Sequence, residues 1–448
     1  GKLVKDLYKM DTTEIIETDN LFSAEEIIKD SQDRASKIFK SGQSYYLVNG
    51  STCGIQAAIL ATCKPKSKIL INRDCHQSAI NAFILGDVEP IYIKGNICEN
   101  TYTIQGVSEQ DVISAIDNNE DVKVLMLTYP SYYGMVFDLE KICRYAHEKG
   151  MMVIVDEAHG AHLNLSDKLP KSALEQGADI VIQSLHKTLP AFTQSSMLHV
   201  QGDLVDKKNL ERFLKIVQSS SPSYVLMSSL EIAIDIYDRY GKGLMGNLLN
   251  DIENFEADLS KIDGVKVIKG HDATKVFISL KDLGINGYDL EEILRYKHNI
   301  QVELSNYYGV LLICTIGNDK NDFDAFLEAI KSIAKNFNKN HDLKIKQDNL
   351  NQKEAELIHI NYPNIIPKKV LSPREAFYSD KKEVKLKDSI GKVSGEYIIP
   401  YPPGISLTSP GEIITKEVID YILICKEYGM NVSGLKDKSL DIIEIIEN

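Results

Sequence analysis

The sequence has no pair of cysteines spaced as Cys-x-x-Cys, although it contains seven cysteines in 448 residues. Nothing therefore indicates a zinc knuckle or a redox motif, and we predict no metal site. Isolated thiols are typical of a reducing cytosol, which predicts a cytoplasmic protein. Basic residues are also too few to balance the acidic ones. The formal net charge of −13 argues against nucleic acid or an anionic membrane as the main partner.

Long apolar runs are missing as well. No segment approaches the roughly 20 apolar residues of a membrane span, and the first residues lack the apolar core of a signal peptide. The chain starts at Gly1 rather than at a methionine, which suggests that a segment in front of it is missing. Hydrophobic residues at 43% and charged residues at 26% are ordinary for a globular protein with a large core.

Six short apolar runs between about Tyr45 and Val200 predict strands: YYLV, KILI, PIYI, KVLML, MMVIV and DIVIQ. Most are uniformly apolar, as expected for strands that are buried on both faces of a parallel sheet. The segments between them, such as LEKICRYAHEKG, have the pattern of crossover helices. The fold class is therefore α/β with a mainly parallel sheet, and ligands should bind beyond the C-terminal ends of its strands.

We predict three domains, at residues 1–245, 246–340 and 341–448. A helical region runs to about Leu259, and GVKVIKG, KVFISL and IQVELSNYYGVLLICTIG are strands of a smaller α/β layer. A polar segment, NFNKNHDLKIKQDNLNQKEAEL, is interpreted as a linker. It precedes a C-terminal α+β module with its own strands and turns.

Asp156 and Lys187 are the most informative pair in the sequence. Asp156 ends the apolar strand of MMVIVDEAHGAH, and Lys187 follows the strand DIVIQ. A carboxylate and an amine at neighbouring strand ends can hold pyridoxal phosphate, the first at the pyridine nitrogen and the second in a Schiff base. An isolated residue of either kind would be read differently, Asp156 as a helix cap and Lys187 as a surface lysine. A helicase reading of Asp156-Glu157-Ala158-His159 fails, because no Gly-Lys-Ser or Gly-Lys-Thr phosphate loop occurs.

A phosphate cradle is predicted where the strand YYLV enters the turn NGSTCG and the helix IQAAILATC. The hydroxyls of Ser51 and Thr52 and the N–H groups at the helix start can donate to an anion. Ser184 and His186, which follow the strand DIVIQ, can also donate hydrogen bonds to the anion. His186 could equally be a core histidine whose hydrogen bonds are satisfied within the protein.

Further candidates follow other apolar strands. His76, in RDCHQS, could stack on the pyridine ring or simply cap the helix SAINAFIL, and Ala158 would lie beneath the other face of the ring. Ser131 and Tyr132, in TYPSYYG, are candidate rim contacts. His159 and Cys53 complete the predicted cofactor-binding set.

With SxHKTLP, DEAHGAH, NGSTCG and NRDCH together, the chain resembles the fold-type-I pyridoxal-phosphate decarboxylases of ornithine, lysine and arginine, especially their shorter bacterial branch. The resemblance runs almost from end to end, through LSPREAFY and YPPGISLTSPGE in the C-terminal module. It implies that Lys187 binds the cofactor aldehyde, that Asp156 pairs with the ring nitrogen, that His76 stacks on the ring, and that four polar residues hold the phosphate: Ser51, Thr52, Ser184 and His186.

The chain departs from the family pattern at two places. The usual upstream Pro-Gly-His-Lys segment is absent, so it has been either trimmed or lost. Cys53 stands where serine is more usual, and a thiol is a poorer donor.

The reaction that the resemblance implies is α-decarboxylation of a basic amino acid, with arginine or lysine favoured and ornithine possible. The products would be CO2 and agmatine, cadaverine or putrescine, which are amines of polyamine biosynthesis. A homodimer is expected, because a second subunit usually completes sites in this fold. The alternatives are another fold-type-I enzyme, such as an aminotransferase or a lyase, and a catalytically silent assembly protein.

A basic substrate needs a carboxylate partner for its distal cation. Glu303 in QVELS and Glu412 in the terminal Pro-Gly-Glu are the candidates. Each has a plainer interpretation, Glu303 as a charge at a strand edge and Glu412 as a turn residue.

Overall fold

A computed structural model describes residues 8–9, 11–98, 104–338, 363, 365–401, 405–427 and 430–447. Its strands, in chain order, are β1 Gln43–Leu47, β2 Lys68–Asn72, β3 Glu89–Ile93, β4 Gly95–Ile97, β5 Ile104–Val107, β6 Val124–Thr128, β7 Met152–Asp156, β8 Ile180–Gln183, β9 Ser196–Val200, β10 Lys266–Lys269, β11 Lys275–Ser279, β12 Leu304–Asn306, β13 Gly309–Ile313, β14 Lys381–Lys385, β15 Ile399–Tyr401, β16 Asn431–Ser433 and β17 Ile442–Ile446.

The α-helices are α1 Ile27–Phe39, α2 Gly50–Thr62, α3 Gln77–Gly86, α4 Glu109–Asp117, α5 Leu139–Glu148, α6 Leu185–Thr188, α7 Lys207–Val217, α8 Tyr224–Ile236, α9 Lys242–Leu259, α10 Gly287–His298, α11 Lys320–Asn338, α12 Pro373–Tyr378 and α13 Lys416–Glu427. Short 3-10 helices lie at Leu21–Ser23, Leu163–Leu165, Lys281–Leu283 and Leu386–Ser389, and a π-helical turn lies at Tyr237–Gly241. Among the described residues, no helix is both long and apolar enough to span a membrane.

The described residues form two compact units. The first draws on Gly1–Ile93, Gly106–Leu248 and Thr315–Asn318, and the second on Lys94–Gln105, Leu249–Cys314 and Asp319–Asn448. The three-domain division stays a prediction. Most of the segment interpreted as a linker lies outside the described residues.

The first unit is built on a seven-stranded sheet with the order β1-β9-β8-β7-β6-β2-β3. All six strands predicted from apolar runs are present, and β3, β2, β6, β7 and β8 are parallel to one another, which confirms the mainly parallel α/β fold. Strand β9, which is antiparallel to both β8 and β1, was not predicted. Its sequence, SMLHV, contains two polar residues and so lacks the uniform apolar pattern of its neighbours.

The strand ends determine where polar side chains meet. Because β2, β6, β7 and β8 run in the same direction, the loops that follow them leave one edge of the sheet. These loops contain His76, Ser131, Ala158 and Ser184. Helix α2 begins at the same edge, since the last residue of β1, Leu47, pairs with Ser196 at the start of β9.

Close packing holds α2 against this sheet. A Cβ atom at Gly54 would lie 2.6 Å from Cδ1 of Leu47 and 3.1 Å from Cγ2 of Ile182, so a larger residue here would force these buried side chains to shift. Gly50, at the start of the helix, has φ 72°, a left-handed conformation that glycine adopts without strain. The helix start is therefore placed by two glycines of the predicted cradle.

The second unit contains a four-stranded antiparallel sheet with the order β10-β11-β13-β12, which confirms the strands predicted for the smaller α/β layer. It also contains two two-stranded antiparallel sheets, β14 with β17 and β15 with β16, in the C-terminal part of the chain. A separate core packs there around α13 and includes Val418, Ile422, Cys425 and Ile443.

Candidate active site

Asp156 is the last residue of β7 and is only 5% exposed. In the sheet it pairs with Thr128 of β6 and Ile182 of β8. Its Oδ1 accepts the N–H of Ala158 at 3.1 Å, a contact within the loop after β7; the next helical element begins only at Leu163, with His162 and not Asp156 at its N-cap position. Burial raises the pKa of Asp156, and the nearby charges of His76 and Lys187 act in the opposite direction. Burial is the larger effect, so the pKa of this carboxyl group lies above its ordinary value in a site held out of water.

Lys187 lies in the short helix α6, immediately after β8, and is partly buried. Its Nζ is 3.0 Å from Nε2 of His159. The ring of His159 packs edge-on against Tyr132, with 4.7 Å between the ring centroids. The charge of Lys187 also acts on Asp156, so the structure brings the two residues together, and their roles with a cofactor stay predictions.

Three serine hydroxyls meet at the start of α2 and form what we call the hydroxyl cluster. Oγ of Ser51 is 2.6 Å from Oγ of Ser184 and donates to Oγ of Ser196 at 3.2 Å. All three side chains are buried. The first N–H groups of a helix have no partner within it, so the cluster adds hydroxyl donors to a position that already favours an anion. Ser196 was missed because it belongs to the strand that the apolar pattern did not reveal.

Thr52 and Cys53 differ in exposure at this helix start. Thr52 is exposed, whereas Cys53 is buried and its thiol donates to the carbonyl of Gly50 at 3.0 Å. Burial raises the pKa of the Cys53 thiol to about 12, so the group stays protonated. The thiol therefore donates its hydrogen bond to the backbone of its own helix. The roles of Thr52 and Cys53 in anion binding stay predictions.

His186 lies in α6, two residues after Ser184. The Nδ1 atom of His186 lies 2.9 Å from the carbonyl oxygen of Ser195, which requires a proton on Nδ1. Burial lowers the pKa of His186, which favours the neutral ring. In that form Nε2 accepts hydrogen bonds, and His186 can donate from Nε2 only if a neighbouring anion favours its protonation.

His76 caps helix α3, as the plainer interpretation proposes. Its Nδ1 accepts the N–H of Ser78 at 3.2 Å and lies 2.8 Å from the Ser78 hydroxyl. The ring is exposed to solvent, and its charge acts on Asp156. Capping fixes the orientation of the ring through one nitrogen, which is compatible with stacking on a ligand through a ring face.

Ser131 is buried in the loop after β6. Its Oγ accepts the N–H of Met135 at 3.2 Å, and its own N–H donates to the carbonyl of Met135 at 2.9 Å. The hydroxyl therefore helps to close the turn that presents Tyr132. A rim contact of Ser131 with substrate stays a prediction.

Glu303 and Glu412 belong to the second unit. Glu303 is exposed, whereas Glu412 is 2% exposed and its carboxylate accepts the N–H of Ser409 at 2.8 Å. This contact gives Glu412 a structural role within its turn. Binding of a substrate cation by either carboxylate stays a prediction.

The two C-terminal motifs that carry the resemblance contact each other. The N–H groups of Val370 and Leu371 both donate to the carbonyl of Gly411, at 2.8 and 3.1 Å. Ser372 and Glu375 form a capping box at the start of α12. A Cβ atom at Gly411 would lie 2.6 Å from the carbonyl oxygen of Leu371, so the glycine of SPGE is required by the packing against LSPREAFY.

Comparison with known proteins places this arrangement in a family. The sequence model of the Orn/Lys/Arg decarboxylase major domain matches residues 4–279, and that of the Orn/Lys/Arg decarboxylase C-terminal domain matches residues 355–439. Arginine decarboxylase of Bacillus subtilis (strain 168) is 35% identical over 98% of this chain and 89% of its own length. Arginine decarboxylase of Bacillus anthracis is 32% identical over 98% of this chain and 88% of its own length.

A solved structure agrees in fold. The constitutive lysine decarboxylase of E. coli has a TM-score of 0.85 and 19% sequence identity, over 100% of this chain and 77% of its own. With matches to both domains of the family and about a third of its residues shared with two full-length relatives, the chain belongs to the Orn/Lys/Arg decarboxylase family.

Proposed function

We propose that this protein uses pyridoxal 5'-phosphate to remove the α-carboxyl group from a basic amino acid, with arginine as the favoured substrate. The observation that supports it most is the placement of Asp156 and Lys187 after neighbouring parallel strands, where the charge of Lys187 acts on the buried Asp156 carboxylate. Arginine is favoured because the arginine decarboxylases of Bacillus subtilis and Bacillus anthracis are 35% and 32% identical to this chain. Similarity of fold at 19% identity does not select a substrate.

The residues fit the chemistry of this cofactor. The hydroxyl cluster and the start of α2 offer donors for a phosphate group. Asp156 offers a buried carboxylate for a protonated ring nitrogen, and Lys187 offers an amine for an aldehyde. His76 and Ala158 are proposed to lie against the two faces of the ring.

When bound, pyridoxal phosphate supplies an aldehyde that condenses with amines and a ring that accepts the electron pair left by departing CO2. Asp156 favours protonation of the ring nitrogen through charge pairing in a site removed from water. Nε2 of His159 is within hydrogen-bond distance of Nζ of Lys187 and can take a proton from it or return one. Tyr132 packs on His159 and keeps that imidazole oriented.

The distal guanidinium of arginine is proposed to pair with a carboxylate, because planar guanidinium groups bind carboxylates through two parallel hydrogen bonds. Glu303 and Glu412 remain the proposed partners. Ser131 is the proposed contact at the rim. A homodimer and a cytoplasmic location stay predictions from the sequence.

The test is CO2 release by protein supplied with pyridoxal phosphate, with arginine, lysine and ornithine offered separately. We expect the most efficient release from arginine, with agmatine as the product. Agmatine formation by wild type but not by Lys187→Ala would tie the reaction to this site. Formation of a keto acid instead would identify an aminotransferase. A loaded protein that leaves all three amino acids unchanged would contradict the proposed reaction and favour an assembly role.

A further inference from the structure

Glu157 lies next to Asp156 but its side chain takes no part in the site described above. Side chains alternate between the two faces of a sheet. Asp156 pairs with Ile182 and lies on the same face of the sheet, which is the face that α2 packs against. Glu157, the next residue, is directed to the opposite face. Glu157 is fully buried. A buried carboxylate is costly unless its oxygens are hydrogen-bonded, so its partners indicate why it is there.

Three donors bind the Glu157 carboxylate. The N–H of Ala173 donates to Oε1 at 2.6 Å. The hydroxyl of Ser172 and the side-chain amide of Gln183 both donate to Oε2, at 2.8 and 2.6 Å. Gln183 is the last residue of β8 and directly precedes Ser184 of the hydroxyl cluster. The carboxylate therefore connects the end of β7 to the end of β8.

The contacts continue across the sheet through Gln183. The Oε1 atom of Gln183 is 3.2 Å from Nε2 of His199, and Nδ1 of His199 is 2.8 Å from the hydroxyl of Ser44. We call this series, from Ser44 to Glu157, the Glu157 network. It joins β1, β9, β8 and β7 on the face opposite the site.

Above a pH of about 7, where Glu157 is ionised, its carboxylate fixes the direction of each hydrogen bond in the network. A carboxylate only accepts hydrogen bonds, so Gln183 must present its NH2 group to Glu157 and its oxygen to His199. Burial lowers the pKa of His199 to about 3, so its ring is neutral and has one N–H, which must be on Nε2. Nδ1 then accepts from Ser44. Without the Glu157 carboxylate, the NH2 group of Gln183 would lose its acceptor, and the orientation of Gln183 and His199 would no longer be fixed.

The side chain of Glu157 is also tightly packed against the loop that follows Asp156. A Cβ atom at Gly160 would lie 2.6 Å from Cγ of Glu157, and the N–H of Gly160 donates to the carbonyl of Glu157 at 2.9 Å. The loop that follows Asp156 is thus folded around the Glu157 side chain. Ala158 and His159 lie within this loop.

We propose that Glu157 is a positioning residue, which sets the relative position of Asp156 and Ser184 from the far face of the sheet and so determines the affinity for pyridoxal phosphate. The inference rests on the proposed function, because it concerns the same cofactor. Glu157 makes no contact with the cofactor in this proposal. It acts through its peptide neighbour Asp156 and through Gln183, the peptide neighbour of Ser184.

The test compares Glu157→Gln with a matched control, Glu396→Gln. Glu396 is also buried, and its carboxylate accepts two backbone N–H groups, from Lys436 and Glu444, but it lies in the second unit. Glutamine keeps the shape of glutamate and cannot accept all three donors that bind Glu157. The dissociation constant for pyridoxal phosphate is measured at pH 8 by titration of the visible absorption, and the melting temperature is measured without the cofactor.

We expect both variants to melt at lower temperature than wild type, and only Glu157→Gln to bind pyridoxal phosphate at least tenfold more weakly. A Glu157→Gln protein that is destabilised but binds the cofactor within twofold of wild type would overturn the positioning role. Ser172→Ala, which removes one donor and keeps the carboxylate, covers the case in which Glu157→Gln does not fold. Its expected effect is about threefold, and an unchanged dissociation constant would count against the proposal.

Failure of the inference is separable from failure of the proposed function. A wild-type protein that binds the cofactor and releases no CO2 would contradict the reaction, while the comparison of dissociation constants would still decide the role of Glu157. A wild-type protein that does not bind pyridoxal phosphate would overturn both.

Discussion

Nζ of Lys187 and Nε2 of His159 lie 3.0 Å apart, which is the distance of a hydrogen bond between an amine and an imidazole. One of the two nitrogens must donate a proton and the other must accept it. The pair can therefore exchange a proton without rearrangement. This relationship distinguishes Lys187 from a surface lysine and gives His159 a chemical task.

Replacing Lys187 by alanine should abolish decarboxylation and leave the fold intact. The side chain is only partly buried and supplies no large part of a core, so we expect a melting temperature close to that of wild type. Product formation and thermal unfolding are the measurements, with Lys171→Ala as the control, since Lys171 is an exposed lysine that pairs with Glu140. An active Lys187→Ala protein would contradict the proposed function.

His159→Gln should lower kcat by roughly 10²-fold, the lower end of what a positioned acid or base contributes. The KM should change less, because the proposed task is proton transfer and not substrate binding. His298→Gln, at the end of α10, is the control. Equal losses in the two variants would argue against a proton-transfer role for His159.

Ser184→Ala should weaken the binding of pyridoxal phosphate. The hydroxyl of Ser184 is buried against that of Ser51 at 2.6 Å, and a hydrogen bond to a charged group contributes about 1.5–3 kcal/mol. The dissociation constant should therefore rise about 10- to 100-fold. Ser36→Ala is a suitable control, because Ser36 is also buried but donates to a carbonyl within α1. If both variants bind the cofactor as wild type does, the hydroxyl cluster is not the phosphate site.

Gly54→Ala should destabilise the protein and weaken cofactor binding together. The added methyl group would lie 2.6 Å from Leu47 and would push the start of α2 away from the sheet. Overpacking of this kind costs about 1–3 kcal/mol. Gly246→Ala is the control: it lies within α9, nothing surrounds its Cβ position, and alanine should stabilise that helix by up to about 1 kcal/mol. Unfolding free energies and dissociation constants of the two variants give the comparison.

The sequence predicted the parallel strands and the pair Asp156 and Lys187 for the same physical reason. Strands buried on both faces are uniformly apolar, so their ends are visible as the first polar residues after each run. Ser196 was hidden, because β9 contains two polar residues, Ser196 and His199, and therefore lacks a uniformly apolar run. Local patterns reveal which residues stand at strand ends and cannot reveal which strand is inserted between two others.

Glu157 shows a second limit of sequence reasoning. In the sequence it stood out only as part of the string Asp-Glu-Ala-His. Its three donors are 15, 16 and 26 residues away along the chain. Hydrogen bonds between such distant segments follow from strand order and loop conformation, and no periodicity of the sequence encodes them. The face on which Glu157 lies became clear only from the register of β7 against β8.

The stability of the protein should depend on pH through Glu157. In the unfolded chain this carboxyl group has a pKa near 4.5, whereas burial raises the pKa of Glu157 to about 7 in the folded protein. Between these values the folded state holds a proton that the unfolded state lacks, so stability falls as the pH rises from about 4.5 to about 7 and is level above that. The full change is about 3 kcal/mol.

The Glu157→Gln variant lacks this titrating group. Comparing it with wild type therefore separates the pH dependence due to Glu157 from that due to other buried groups. Glu175 and Tyr237 face Glu157 and remain in the variant. His199, whose pKa is lowered to about 3, acts in the opposite sense, because its contribution to stability grows as the pH rises from about 3 to 6.5. Its effect cancels when the two proteins are compared. The unfolding free energy of wild type minus that of Glu157→Gln should therefore decrease between pH 5 and pH 8. A difference that does not vary with pH would mean that Glu157 keeps its charge throughout.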